Sequence, residues 1–126
     1  MAKTVLIVDD DEHLREILTA MLRFSGYEIS EAATGTEAVN KAISEKPDLI
    51  LLDIELPDIK GPDVARAIKN NPTSANMPII GCSAFGWEYR KEALEAGMDD
   101  YLVKPISLEV IKTKIEEFIL TERYAR

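Results

Sequence analysis

Acidic residues stand at two places where an apolar run of the sequence ends. Asp9 and Asp10 follow the run VLIV at residues 5–8, and Asp53 follows LILL at residues 49–52. Carboxylates held close together repel one another unless they are solvated or neutralised. A hard divalent cation is the usual remedy, and Mg²⁺ takes one or two carboxylates while keeping room for a phosphate oxygen. The three aspartates are therefore candidates for a cation site that handles a phosphoryl group.

Two further residues of suitable chemistry follow apolar runs later in the chain. Ser83 stands in GCSAF and Lys104 in YLVKP. A lysine ammonium binds an anion or pairs with a carboxylate, and a hydroxyl donates to an anionic oxygen. An aspartate can accept a phosphoryl group as an acyl phosphate, with a cation and a lysine neutralising the charge that moves. Singly, these residues also suit a helix start, a loop cap, a turn hydroxyl or a surface charge.

The elements that must position these residues alternate along the chain. Apolar runs predict strands at residues 4–8, 27–31, 49–52, 77–82 and 100–103. Residues between them recur at helical spacing and predict five helices. The stripe of the first helix is Leu14, Ile17, Leu18, Met21 and Leu22, and Gly26 ends it. This alternation predicts one doubly wound α/β domain with helices on both faces.

The predicted topology brings the site residues together. Five such units commonly form a flavodoxin-like parallel sheet in the strand order 2-1-3-4-5. Ligands bind beyond the carboxyl ends of the strands, where the strand order reverses. Strands one and three are neighbours there, about 4.8 Å apart. Asp9, Asp10 and Asp53 are thus expected to converge, with Ser83 and Lys104 at the ends of strands four and five.

Composition limits the classes of function. The net charge of −8 argues against nucleic acid as a direct partner, because phosphate binding needs clustered Lys and Arg. A single cysteine, Cys82, excludes an internal disulfide and suits a cytoplasmic location. The apolar run at residues 49–52 is far too short to span a bilayer, and no secretory signal opens the chain. We expect one domain over residues 1–126 with no membrane segment.

Four segments carry a resemblance to a known family: VLIVDDDE, PDLILLDIELP, PIIGCSA and DDYLVKPI. Together they resemble the receiver domain of response regulators in two-component signalling, and they span essentially the whole chain. The resemblance implies a phosphoacceptor signalling domain rather than an enzyme. It implies that Asp53 is the phosphoacceptor, Lys104 binds a phosphoryl oxygen and Ser83 is a switch hydroxyl that moves towards the phosphoryl group. Mg²⁺ or Mn²⁺ would be held by Asp9, Asp10, Asp53 and the backbone carbonyl of Glu55.

The resemblance also assigns roles around this centre. Tyr101 matches the aromatic position whose rotamer follows the switch hydroxyl, and Pro105 matches a Lys-Pro bond that is often cis. Glu55 and Phe85 occupy positions that tune the rate of dephosphorylation. Two positions depart from the family pattern: Lys60 replaces a common acid, and Gly81 stands in a strand where we expect it to weaken packing.

The partners implied by the resemblance are proteins. A histidine kinase or histidine phosphotransfer protein would deliver the phosphoryl group, and the surface of helix four, strand five and helix five would bind a target protein. We expect a stand-alone receiver without an output domain, monomeric when unphosphorylated. The aromatic residues Phe85, Trp87 and Tyr89 in FGWEYR either cover the core edge or bind a partner.

Three other functions fit parts of the sequence. A phosphatase of the haloacid-dehalogenase type also phosphorylates an aspartate after a strand, but it wants a second aspartate two residues on, where Glu55 stands. A pseudo-receiver acting as a constitutive interaction module normally lacks an acid, hydroxyl or lysine that this chain keeps. A flavodoxin needs a phosphate loop where this chain has acids.

Overall fold

The computed structural model describes residues 2–124, with side chains through residue 119. Within that part of the chain, five strands and five helices alternate. The strands are β1 (Thr4–Val8), β2 (Glu28–Ala32), β3 (Leu49–Asp53), β4 (Ile79–Ser83) and β5 (Asp100–Val103). The helices are α1 (Glu12–Phe24), α2 (Gly35–Glu45), α3 (Gly61–Asn70), α4 (Arg90–Glu95) and α5 (Leu108–Tyr124).

The five strands form one parallel sheet in the order β2-β1-β3-β4-β5, as predicted. Val8 pairs with Leu52, and Asp53 pairs with Cys82. The residues that follow β1, β3 and β4 therefore leave the sheet at the same end, its carboxyl edge, which consists of the carboxyl ends of the strands. Every residue of β3 and β4 is buried, as expected for central parallel strands covered on both faces.

Two apolar cores lie on opposite faces of the sheet and confirm the doubly wound fold. The first core is built on α2, α3 and α4, through buried residues such as Ala42, Ile68 and Ala93. The second is built on α1 and α5, through Leu22, Ile111 and Ile115. This arrangement fixes the sheet from both sides and leaves the carboxyl ends of the strands free to carry a site.

Helix α1 ends at its predicted signal, but its apolar stripe is wider than its buried face. The Asp11 side chain caps the start of the helix by accepting a hydrogen bond from the Leu14 N–H. Gly26 follows the last turn with a φ of 99°, which favours glycine. Ile17 belongs to the predicted stripe but is 54% exposed, because the helix contacts the sheet over a narrower arc than the stripe covers.

Gly81 does not weaken packing, contrary to the expectation from sequence. A Cβ at this position would lie 2.5 Å from the Met98 sulfur and 3.6 Å from a Tyr101 ring carbon. Met98 and Tyr101 are both buried, so they occupy the space that a larger residue would need. The glycine is the small partner in a filled core.

Two other elements bear on the site. A 3-10 turn at Gly86–Tyr89 precedes α4, which is only six residues long. The Lys104–Pro105 peptide bond is cis, as expected. Over residues 2–124, no helix has the length and apolar character needed to cross a membrane.

Candidate functional site

Asp9, Asp10 and Asp53 converge at the carboxyl edge of the sheet. One oxygen from each carboxylate lies within 4.8 Å of the others. Asp9 and Asp53 are each 4% exposed, whereas Asp10 faces solvent. Backbone N–H groups hold two of the carboxylates, from Asp11 to Asp9 Oδ1 at 2.9 Å and from Glu55 to Asp53 Oδ1 at 3.1 Å. Three hard oxygen donors at this spacing fit a magnesium ion.

Lys104 reaches into this cluster from the end of β5. Its Nζ lies 2.8 Å from Asp9 Oδ2 and 3.3 Å from Asp53 Oδ2. Its backbone N–H donates to the Ser83 carbonyl at 2.8 Å, which extends the pairing of β4 and β5. Burial lowers the pKa of Lys104, but the hydrogen bond to Asp9 and the charge of Asp53 outweigh burial and raise it. The ammonium is therefore fixed in its charged form beside Asp53.

The charges of the site do not balance. Among the residues with described side chains, Lys104 is the one cation paired with Asp9 or Asp53. The pKa of Asp53 is raised to about 8, first by burial, then by its contact with the Glu55 side chain and by the charge of Asp9. This excess of negative charge is the physical reason that a divalent cation suits the cluster.

Ser83 is completely buried, and its hydroxyl is bonded to Glu55 rather than to Asp53. Ser83 Oγ donates to Glu55 Oε1 at 2.7 Å and accepts from the Phe85 N–H at 3.0 Å. Tyr101, 2% exposed, donates its hydroxyl proton to the Gly86 carbonyl at 2.6 Å. The sequence placed Ser83 and Tyr101 near the site, but gave no signal for the contact between Ser83 and Glu55.

Three supporting residues also escaped sequence reasoning. Arg15 Nη1 donates to the Asp9 carbonyl at 2.7 Å while Nε bonds to Glu31 at 3.2 Å, which fixes the end of β1. Gly61 packs on the backbone of β3, since a Cβ there would lie 2.9 Å from the Asp53 carbonyl oxygen. No periodicity or motif in the sequence marks either of these two contacts. The third supporting residue is Asp58.

Asp58 joins the loop after β3 to the start of α2. Its carboxylate accepts hydrogen bonds from the backbone N–H groups of Gly35 and Thr36 at 2.7 and 3.0 Å. These two bonds lower the pKa of Asp58, because they favour the ionised carboxylate. The loop that follows Asp53 is thus tied to the start of α2.

A largely apolar cavity of about 400 Å³ opens beside Asp53 and Lys104. Side chains of α1 and of the segment after β5 line it, including Leu14, Leu18 and Ile106. Cys82 also lines the cavity, and burial raises the pKa of its thiol to about 12. Cys82 is therefore a buried, protonated apolar residue. The cavity gives the acidic site an apolar flank.

The aromatic residues after β4 do not cover the core edge as a group. Phe85 is 60% exposed and Trp87 is 64% exposed, while Tyr89 is half-buried. The Trp87 ring lies 5.8 Å from the Tyr101 ring. An exposed aromatic surface thus borders the buried Tyr101.

Comparison with known proteins agrees with this geometry. Residues 5–116 match the response regulator receiver domain family. The phosphate regulon transcriptional regulatory protein PhoB of Pseudomonas aeruginosa is 43% identical over 108 residues, which are 85% of this chain and 47% of PhoB. The alkaline phosphatase synthesis transcriptional regulatory protein PhoP of Bacillus subtilis is 37% identical over 94% of this chain and 49% of PhoP. The chain spans about half the length of the curated relatives it matches.

One solved structure shows the same fold with a metal in place. The receiver domain of the sensor histidine kinase PA1611 from Pseudomonas aeruginosa, with magnesium coordinated in the active site cleft, has a TM-score of 0.89 and 32% identity over 94% of this chain and 98% of that one. Asp9, Asp10 and Asp53 form an acidic triad like that magnesium-coordinated site. As the acidic site of a receiver domain, the triad suits magnesium-dependent phosphorylation. This chain belongs to the response regulator receiver domain family, whose members are phosphoacceptor signalling modules rather than classical enzymes.

Proposed function

We propose that this chain is a phosphorylation-dependent switch in which Asp53 receives a phosphoryl group from a histidine kinase or a histidine phosphotransfer protein. A receiver domain implies a cognate histidine kinase. The observation that carries the proposal is the position of the buried Asp53 carboxylate, 3.3 Å from the Lys104 ammonium and beside two further acids. Residues 1–126 would act as one cytoplasmic receiver domain, monomeric when unphosphorylated.

The proposed reaction transfers a phosphoryl group between two side chains. An oxygen of the Asp53 carboxylate attacks the phosphorus of a phosphohistidine, and the P–N bond breaks. The electron pair of that bond stays on the imidazole nitrogen, and Asp53 becomes an acyl phosphate. Lys104 neutralises charge on a phosphoryl oxygen from its position beside Asp53. Magnesium held by Asp9, Asp10, Asp53 and the Glu55 carbonyl would supply further charge neutralisation.

The apolar cavity supports the proposed approach of the donor protein. The apolar side chains of Leu14, Leu18 and Ile106 line a cavity whose lining also includes Asp53. A donor that seats an apolar side chain in this cavity would bring its histidine to the acceptor. The exposed start of α1 is the proposed kinase contact, because it borders the acidic site.

The proposed output surface consists of α4, β5 and α5. Ser83 would donate to the phosphoryl group, and Tyr101 would respond through the segment that joins β4 to α4. A target protein then shifts the population by binding one arrangement more tightly than the other. Trp87 is the single tryptophan of the chain and lies beside Tyr101, so its fluorescence offers a direct probe of that response.

The test is incubation of the whole chain with a small acyl phosphate and Mg²⁺, followed by intact mass. We expect one phosphoryl adduct that is absent in Asp53→Ala and absent when the metal is chelated. An adduct that persists in Asp53→Ala, or no adduct on the wild type, would overturn the assignment. Steady turnover of a phosphate ester would favour a phosphatase instead.

Glu55 and Phe85 are the proposed tuners of dephosphorylation. Glu55 contacts both Asp53 and Ser83, and Phe85 stands exposed beyond Ser83. We expect the acyl-phosphate lifetime to change in Glu55→Ala and in Phe85→Ala when the adduct is followed by mass after the donor is removed. Unchanged lifetimes in both variants would end this part of the proposal.

A further inference from the structure

The contact between Glu55 and Ser83 joins the loop after β3 to the end of β4, across 28 residues of sequence. The Ser83 hydroxyl donates to a carboxylate oxygen of Glu55 at 2.7 Å. Glu55 is held in place through its own N–H, which donates to Asp53 Oδ1 at 3.1 Å. A charged acceptor therefore binds the Ser83 hydroxyl beside the phosphoacceptor.

The Ser83 hydroxyl has one proton and cannot donate twice. Its oxygen already accepts from the Phe85 N–H at 3.0 Å, so its orientation is fixed at both ends. Ser83 is completely buried, and a buried hydroxyl without an acceptor is costly. A phosphoryl oxygen on Asp53 can accept a hydrogen bond from this hydroxyl only if the bond from Ser83 to Glu55 is broken.

We propose that Glu55 is a positioning residue that competes with the phosphoryl group for the Ser83 hydroxyl. This inference rests on the proposed function and adds a regulatory element to the same site. In the unphosphorylated chain Glu55 satisfies the buried hydroxyl, and on phosphorylation the hydrogen bond passes from one anionic acceptor to another. Glu55 is half-buried, so its released carboxylate reaches solvent. Ser83 therefore stabilises the phosphorylated state by less than a wholly new hydrogen bond would, because the bond to Glu55 is lost when the bond to the phosphoryl group forms.

A double-mutant cycle tests the competition directly. The full chain with Mg²⁺ is titrated with beryllofluoride, a phosphoryl mimic, and the bound fluoride is measured by ¹⁹F NMR. The four proteins are the wild type, Glu55→Ala, Ser83→Ala and the double variant. With Glu55 present, Ser83→Ala is expected to weaken beryllofluoride binding by less than about threefold. The reason is that Ser83 loses its hydrogen bond to Glu55 when it forms one to the mimic, so its contribution to binding is small. Without Glu55, the same change is expected to weaken it roughly tenfold or more.

The same cycle with Glu55→Gln separates the hydrogen bond from the charge. Glutamine keeps an acceptor oxygen but makes a weaker, uncharged bond, so the effect of Ser83→Ala is expected to lie between the two other backgrounds. An equal effect of Ser83→Ala in all three backgrounds would mean that Glu55 acts through charge alone, and it would overturn the inference while leaving phosphorylation of Asp53 intact. Failure of the wild type to gain any adduct would overturn the proposed function itself.

Discussion

The sheet has an amino edge, where its strands begin, and a carboxyl edge, where they end. Acidic residues and lysines occur at both edges but have opposite effects there. At the amino edge, Asp48 accepts from the Thr4 N–H at 2.8 Å, and Asp99 accepts from the Ile79 N–H at 2.8 Å. Asp99 also pairs with Lys69 at 3.1 Å. At the carboxyl edge, Asp9, Asp10 and Asp53 share the ammonium of Lys104. The first edge satisfies each acid, whereas the second leaves negative charge in excess.

The direction of the strands explains this difference. Strands that begin at one edge present N–H groups there, and a carboxylate is a natural partner for an N–H group. Strands that end at the other edge present carbonyl groups, so the acids there accept N–H groups only from the loops that follow, as Asp9 does from Asp11 and Asp53 does from Glu55. Acids at the amino edge therefore stabilise the sheet, and acids at the carboxyl edge need a cation. The edge that is electrostatically incomplete is the one that can do chemistry.

Removing the lysine at each edge should give the largest difference in the rate of adduct formation between the two edges. Lys104→Met leaves the buried acceptor without its ammonium, and we expect the rate of adduct formation to fall roughly 100-fold at saturating Mg²⁺. Lys69→Met is the matched control, because Lys69 serves Asp99 and the Met77 carbonyl at the other edge. Time-resolved intact mass measures both rates. Equal rates in the two variants would contradict the division between the edges.

The acid at the amino edge should matter for stability alone. Asp99→Ala leaves the Ile79 N–H without its acceptor, and we expect the free energy of unfolding to fall by about 1–3 kcal/mol. Asp99→Asn keeps an acceptor oxygen and should lose less. Urea unfolding measures the loss, and intact mass should show an unchanged rate of adduct formation. A slower rate with full stability would place Asp99 in the site after all.

The free energy of unfolding should depend on pH through Asp53 at the carboxyl edge. The pKa of Asp53 is raised to about 8 in the folded chain, above its unfolded value, so the folded state keeps a proton that the unfolded state has lost. Stability without divalent cations should therefore fall as pH rises from about 4 towards 8. The difference in slope between wild type and Asp53→Asn should approach, at most, about 1.4 kcal/mol per pH unit.

The comparison variant for this slope is at the other edge. Asp48→Asn should keep the wild-type slope between about pH 4 and pH 8, because it changes a carboxylate at the amino edge that lies outside the cluster of Asp9, Asp10 and Asp53. Urea unfolding at a series of pH values, with a chelator present, measures all three proteins. A wild-type slope in Asp53→Asn would show that another group holds the proton.

The sequence predicted what depends on periodicity and strand direction. The fold class, the strand order and the convergence of the acids with Lys104 follow from alternating elements, since residues after neighbouring parallel strands must share an edge. It could not predict contacts set by rotamers or by filled space. The bond from Ser83 to Glu55 depends on two side-chain orientations, and the fit of Gly81 against Met98 depends on packing across the core. Ile17 was misplaced because spacing gives the direction of a helix face but not its width.

Gly61 has a consequence for how variants of this protein are interpreted. Its Cα approaches the β3 chain so closely that a Cβ would lie 2.7 Å from Ile54 Cα and 2.9 Å from the Asp53 carbonyl oxygen. Even alanine must displace the acceptor backbone, while glycine itself carries no charge, donor or acceptor side chain. A mutational scan scored by signalling alone would therefore rank Gly61 beside the acids. The distinction between a residue that reacts and one that leaves room would emerge only when protein abundance is scored in parallel.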